Sequence, residues 1–187
     1  AMNQAVASDP LSSWQVRLKG KTIKALMGTS AAYAGDHVEL SDEGNDFAST
    51  VGIGAVVATK FTWPSDPRPE NGLILTDEKE IEWRKWLALY NSRMLPAGHY
   101  RGELYDIGFD RPEAHAIEKD GRLYYAFYAD SWEGLIELRG LGHEQYAVVD
   151  YVNGKPLGTV SSTANQLAVT FERFLLLEAI PLAGAAA

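Results

Sequence analysis

The rhythm of the chain changes at Pro96-Ala97-Gly98, and that change constrains the fold more than any other feature. Up to about Leu95, short β-prone runs alternate with helix-like segments, the order of βα units. Beyond Gly98, apolar residues recur at every second position between Asp-Gly and Asn-Gly turns, the pattern of antiparallel strands. A length of 187 residues at 46% hydrophobic content suffices for one good core or two small ones. Two units are therefore expected, 1–98 with α/β character and 99–187 as an all-β antiparallel sandwich.

In the first unit the best helix runs from Asp77 to Leu95. Thr76 or Asp77 caps it, Asp77 and Glu80 supply an acidic start, and Pro96 with Gly98 stops it. Trp83, Trp86, Leu87, Tyr90 and Met94 follow the spacing of one face, which is more often core than a sugar platform and is read as packing. Upstream, Thr22–Gly28 and Val56–Trp63 read as strands, while Ser13–Leu18 and Asp46–Gly54 read as helical.

In the second unit, strands are expected at Leu104–Phe109, His115–Glu118, Leu123–Ala129, Leu135–Leu138, Tyr146–Tyr151, Gly158–Ser161, Gln166–Phe171 and Leu175–Ile180. Asp120-Gly121 and Asn153-Gly154 are the strongest hairpin turns.

Charge and residue usage narrow the partners. A net charge of −8 with scattered acids argues against nucleic acid, which needs a basic face to neutralise phosphates. Zero cysteines exclude disulfides, thiolate zinc sites and cysteine nucleophiles, and leave the compartment open. No run approaches the roughly 18 apolar residues of a membrane span, and the first residues carry no signal-peptide pattern, so no membrane partner is expected.

The residues with most chemical potential lie in Gly35-Asp36-His37-Val38-Glu39-Leu40-Ser41-Asp42, three acids and a histidine just after a β-prone run. In βα units functional side chains gather in loops that follow strands. Asp9, in Ser8-Asp9-Pro10 before a helix-like segment, reads equally as a helix cap. Glycoside hydrolysis needs two carboxyl groups about 5–10 Å apart, and Asp9 with Asp36, Glu39 and Asp42 supplies candidates. Asp36, Glu39, Asp42, Asn45 and Asp46 are also hard oxygen donors, but without the EF-hand spacing for calcium. His37 is either a sugar-hydroxyl ligand or a structural hydrogen-bonding group. His99, His115 and His143 form no metal-ligand spacing, and no cofactor is expected.

Ala7-Ser8-Asp9-Pro10 with Gln15-Val16-Arg17, the acidic loop and Lys60-Phe61-Thr62-Trp63-Pro64 together resemble bacterial α-galactosidase-like glycoside hydrolases, the melibiase group of family 36 and its neighbours. The segments Tyr105-Asp106-Ile107-Gly108-Phe109-Asp110, Pro112-Glu113-Ala114-His115, Leu123-Tyr124-Tyr125-Ala126-Phe127, Asp150-Tyr151-Val152-Asn153 and Leu175-Leu176-Leu177-Glu178-Ala179 resemble the C-terminal β-domain of that group. The resemblance covers nearly the whole chain. It implies a (β/α)8 barrel followed by an antiparallel sandwich, and a retaining mechanism with two aspartates.

On that mapping residues 1–98 are the last βα units of the barrel, with Thr22–Gly28 as strand seven and Val56–Trp63 as strand eight. Asp9 then falls at the acid/base motif, and Asp36, His37 and Glu39 become substrate-binding residues for a carbohydrate. The nucleophile's Lys-Trp-Asp context occurs nowhere in these 187 residues. An acid/base without its nucleophile loses the covalent step, so the isolated chain is expected to be inactive. The uncovered barrel edge is expected to drive homo-oligomerisation or association with the rest of the barrel. Two alternatives stand beside this reading. One is a noncatalytic carbohydrate-binding or structural module using Tyr124, Tyr125, Tyr128, Trp132 and Tyr151; the other is a small enzyme complete in itself, using Asp9 and the acidic loop.

Overall fold

A computed structural model describes residues 12–34, 47–58, 76–142 and 145–182. The chain divides into two compact units, Ala1–Ala97 and Gly98–Ala187.

In the first unit, helix α1 spans Ser13–Met27. A capping box fixes its start, with Gln15 N donating to Ser12 Oγ at 3.4 Å and Ser12 N donating to Gln15 Oε1 at 3.0 Å. Gly28 ends it at φ +107°, its N–H donating to Lys24 O at 3.1 Å. The expected strand Thr22–Gly28 is therefore the last part of a helix. Only Thr22 and Ile23 are β-branched there, and Thr22 Oγ1 donates back to Leu18 O at 2.9 Å. The following Lys24, Ala25, Leu26 and Met27 are good helix formers, and a capped helix already under way is cheap to extend.

Gly20 is a point of close approach between α1 and its surroundings. A Cβ there would lie 2.5 Å from Ile53 Cδ1 and 3.1 Å from the Tyr33 ring, so the bare backbone lets Tyr33, Ile53 and Ala55 pack into a small core with Ile23. Helix α2, Phe47–Gly52, is buried throughout and falls within the expected helical segment. Residues 56–58 form no strand; 59–63, the rest of the other expected strand, lie outside the described residues.

Helix α3 spans Asp77–Arg93. Thr76 caps it, accepting from Lys79 N at 3.3 Å, and Asp77, Glu78 and Glu80 complement the positive end of the helix dipole. Met94 closes it in the left-handed region at φ +45°, and a 3-10 turn follows at Leu95–Ala97. Trp83 and Trp86 are buried; Phe47 meets the first edge-on at 5.7 Å and stacks on the second at 6.1 Å. The tryptophans are packing residues, as read. Met94, at the end of the same stripe, is exposed.

The second unit is built on one six-stranded antiparallel sheet, where seven or eight short strands were expected. Its strands are β1 (His99–Tyr100), β2 (Glu113–Lys119), β3 (Arg122–Glu137), β4 (Gln145–Asp150), β5 (Lys155–Ser161) and β6 (Gln166–Pro181), in the order β1-β2-β3-β6-β4-β5. Strands β3 and β6 each run for 16 residues and absorb two expected strands apiece. Their pairing slips at a bulge between Ala129 and Ser131, opposite Arg173, which sits at φ +64°. A bulge bends a strand and increases its twist. Both halves of the long pair then share one core: Tyr125, Phe127, Leu175 and Leu177 from one half, Ile136 and Phe171 from the other.

The segment Leu104–Phe109 is not a strand. It turns on itself, with Phe109 N and Asp110 N donating to Asp106 O at 3.2 and 2.9 Å and Asp106 N to Asp110 Oδ2 at 2.6 Å. Aspartates that recruit nearby backbone groups compete with a ladder in this way.

Candidate functional site

The four residues singled out for chemistry, Asp9, Asp36, His37 and Glu39, lie outside the described residues, as do Asp42, Asn45 and Asp46. What is described is the scaffold flanking them. Residue 36 follows Ala34 by two positions, and just before it Tyr33 O accepts a hydrogen bond from Val56 N at 2.6 Å. Segments 31–34 and 55–58 are thus neighbours, each following a helix. The buried side of α1 carries two cations as well as Val16 and Gly20. Arg17 Nη1 donates to Ser49 Oγ at 2.8 Å, and Lys24 Nζ donates to Ala31 O at 3.1 Å. Burial pulls the Lys24 ammonium below the usual lysine range.

In the second unit, a buried hydrogen-bonded chain links β1 to β2, with a ring of β3 packed against it. His115 on β2 places Nδ1 2.7 Å from Tyr100 Oη on β1 and Nε2 2.7 Å from Glu113 Oε1. The edge of the Tyr128 ring on β3 closes the group at 5.7 Å. A neutral imidazole with its proton on Nε2 satisfies both contacts, donating to the carboxylate and accepting from the phenol. The order phenol, imidazole, carboxylate has the form of a proton relay. Its terminal Tyr100 is 3% exposed, and burial, reinforced by Glu113, pushes that phenol above the usual tyrosine range. A phenol so placed is neither accessible nor activated, and the chain serves to hold strands together.

Glu178, 4% exposed, forms a second buried polar group. It accepts from Arg122 Nη1 at 2.6 Å and from Tyr124 Oη at 3.1 Å. The sugar-stacking set is largely core. Tyr124, Tyr125, Tyr128 and Tyr151 are each 6% exposed or less, and Trp132 packs partly buried against the main core. These strands therefore offer no coplanar exposed platform.

An open cleft of about 100 Å³ lies between the turns at 105–112 and the ends of β3 and β6. Arg139 organises it. Its guanidinium holds Asp110 through Nη1 and Nη2 at 3.1 and 2.9 Å, Glu137 through Nε at 2.9 Å, and Leu104 O through Nη1 at 2.9 Å. Hydrogen bonds from Arg139 and Asn165 hold the Glu137 carboxyl below the usual range. Sequence reading missed all three groups, because each depends on a contact between distant positions, 15 residues apart for Tyr100–His115, 29 for Asp110–Arg139 and 56 for Arg122–Glu178. Among the described residues no three His, Cys, Asp or Glu side chains form a metal-binding group.

Comparison with known proteins agrees with the resemblance that the sequence motifs carry to α-galactosidase-like glycoside hydrolases. No family model matches it. A particular relative is the protein named A type blood alpha-D-galactosamine galactosaminidase of Flavonifractor plautii, 34% identical over 189 residues. That similarity takes in 97% of this chain and 16% of the relative, so the chain spans about a sixth of the relative's length. Among solved structures, a GH27 β-L-arabinopyranosidase of Geobacillus stearothermophilus superposes with a TM-score of 0.52 at 15% identity, over 78% of this chain and 32% of its own. A variant of the same enzyme in complex with arabinose gives 0.50 at 15% identity, over 76% and 31%. At that identity the likeness is one of fold.

Proposed function

We propose that the chain is the C-terminal portion of a retaining glycoside hydrolase acting on α-linked, α-galactosidic sugars. The observation that carries this reading is the 34% identity to a galactosaminidase over nearly the whole chain. Residues 1–98 would be the last βα units of a (β/α)8 barrel, and 99–187 the β-domain that follows it.

The order α1, segment 31–34, α2, segment 55–58 supports this assignment, since the Tyr33–Val56 hydrogen bond joins the two segments as neighbouring barrel strands would be joined. Strand seven is then 31–34, in place of the helical Thr22–Gly28. The shift brings Asp36, His37 and Glu39 directly after a strand end, where (β/α)8 enzymes carry their sites. In this reading Asp9 is the acid/base, and Asp36, His37 and Glu39 line the sugar side of the cleft.

Retention requires a carboxylate nucleophile to attack the anomeric carbon while a second carboxyl, about 5 Å away, protonates the leaving oxygen; water then resolves the glycosyl-enzyme. The Lys-Trp-Asp setting of that nucleophile is absent from these residues. The purified 187-residue chain should therefore leave an aryl α-galactoside unhydrolysed above background. Robust turnover lost in Asp9→Asn would place a complete active site within this chain and overturn the proposal.

A further inference from the structure

Outside the barrel-end residues, the described chain holds a cleft in which paired charges, free polar groups and an exposed apolar side chain meet. At its base the Asp110–Arg139–Glu137 array is fixed by hydrogen bonds of 2.9 to 3.1 Å. Four of the five guanidinium N–H groups of Arg139 are engaged, which leaves one Nη2 hydrogen. At the mouth, Arg111 and the Gln166 amide line the same cleft. Both are exposed and make no side-chain hydrogen bond with another described residue. Leu135 contributes an apolar side chain that is 58% exposed.

We propose that this cleft is a carbohydrate-binding site on the β-unit, with a neutral hexoside as its ligand. Two carboxylates and two guanidiniums balance, so the lining offers directed donors and acceptors with no net attraction for an ion. Vicinal hydroxyls, each both donor and acceptor, suit planar carboxylate, amide and guanidinium groups, which bind two adjacent oxygens at once. The exposed Leu135 side chain supplies apolar surface for the C–H face of a pyranose. A volume of about 100 Å³ falls below the roughly 300 Å³ at the small end of enclosing ligand pockets. The cleft thus grips one edge of a single sugar unit and leaves the rest of a chain in solvent. Its lining includes none of Asp9, Asp36, His37 and Glu39, and the proposal stands whether or not the parent hydrolyses galactosides.

The test is a two-dimensional NMR titration of the 187-residue chain with methyl α-galactoside, methyl α-glucoside and galacturonate. Saturable shifts should concentrate on the amides of residues 105–112, 135–139 and 166, with a dissociation constant on the order of millimolar. Leu135→Ala and Gln166→Ala should each weaken binding about tenfold, the upper end for loss of one apolar or hydrogen-bond contact. Both residues are exposed, so unchanged melting temperatures show that the variants remain folded. His37→Ala should leave these shifts intact. Shifts that map away from the cleft, that vanish only in His37→Ala, or that are absent for all three sugars would overturn the proposal. Tighter binding of galacturonate than of the neutral glycosides would overturn its ligand class.

Discussion

Three tyrosines of the second unit show how burial alone sets chemistry. Tyr100, Tyr105 and Tyr125 all have phenols pushed above the ordinary tyrosine range, in each case chiefly by desolvation. Each hydroxyl is also engaged, Tyr105 with Glu137 O and Tyr125 with Arg139 O, both at 2.7 Å, and Tyr100 with His115. A group whose folded pKa lies above its unfolded value adds stability that is complete below the unfolded value. That contribution is lost as pH rises through the folded one, because the unfolded chain gives up protons the native state retains. The melting temperature should therefore hold to about pH 10, the ordinary tyrosine value, and decline steeply above it. Tyr125→Phe should lower the neutral-pH melting temperature, through a lost hydrogen bond of about 1 kcal/mol, yet flatten the alkaline decline. A pH series of thermal melts checks both, and an unchanged alkaline slope would refute the assignment to Tyr125.

At the scale of elements, the hairpin joining β2 to β3 isolates a backbone effect. Asp120 and Gly121 occupy the left-handed region at φ +52° and +72°, and the strands close directly around them with Lys119 opposite Arg122. A Cβ at Gly121 meets nothing within 4 Å. Gly121→Val should accordingly cost about 1–2 kcal/mol from conformation alone, read as a lower urea midpoint with an unchanged slope. Asp120→Asn should stay within about 0.5 kcal/mol. This turn was legible in the sequence because its cause is local, as was α3 with its Thr76 cap. The end of α1 was misread because Thr22 and Ile23 suggested a strand, while the capping box that propagates the helix sits ten residues upstream at Ser12. The two long strands looked like four because the bulge near Asp130 and the left-handed Arg173 interrupt the alternation on facing strands at the same point. The polar groups of the second unit were not legible at all: Arg122 and Glu178 meet across paired strands, and Asp110 and Arg139 meet between the segments that flank β2 and β3, which no short motif records.

At the scale of the whole molecule, the helices of the first unit carry more exposed apolar surface than their packing explains. Trp14, Leu26 and Met27 on α1 are 49%, 78% and 75% exposed, and Ile81 on α3 is 70% exposed. Single exposed apolar residues are ordinary, but adjacent ones such as Leu26 and Met27 favour contact with another surface. If residues 1–98 are the last βα units of a barrel, the rest of that barrel is the natural cover, and in its absence a second copy of the chain is the available substitute. Light scattering should then give a mass above that of one chain, rising with concentration. Leu26→Glu combined with Met27→Glu should shift the population toward the monomer. Both side chains already lie largely in solvent, so the substitutions should leave the fold and its melting temperature little changed. A monodisperse monomer at high concentration would show that these side chains are ordinary solvent-facing residues, and would remove the case for association drawn from them.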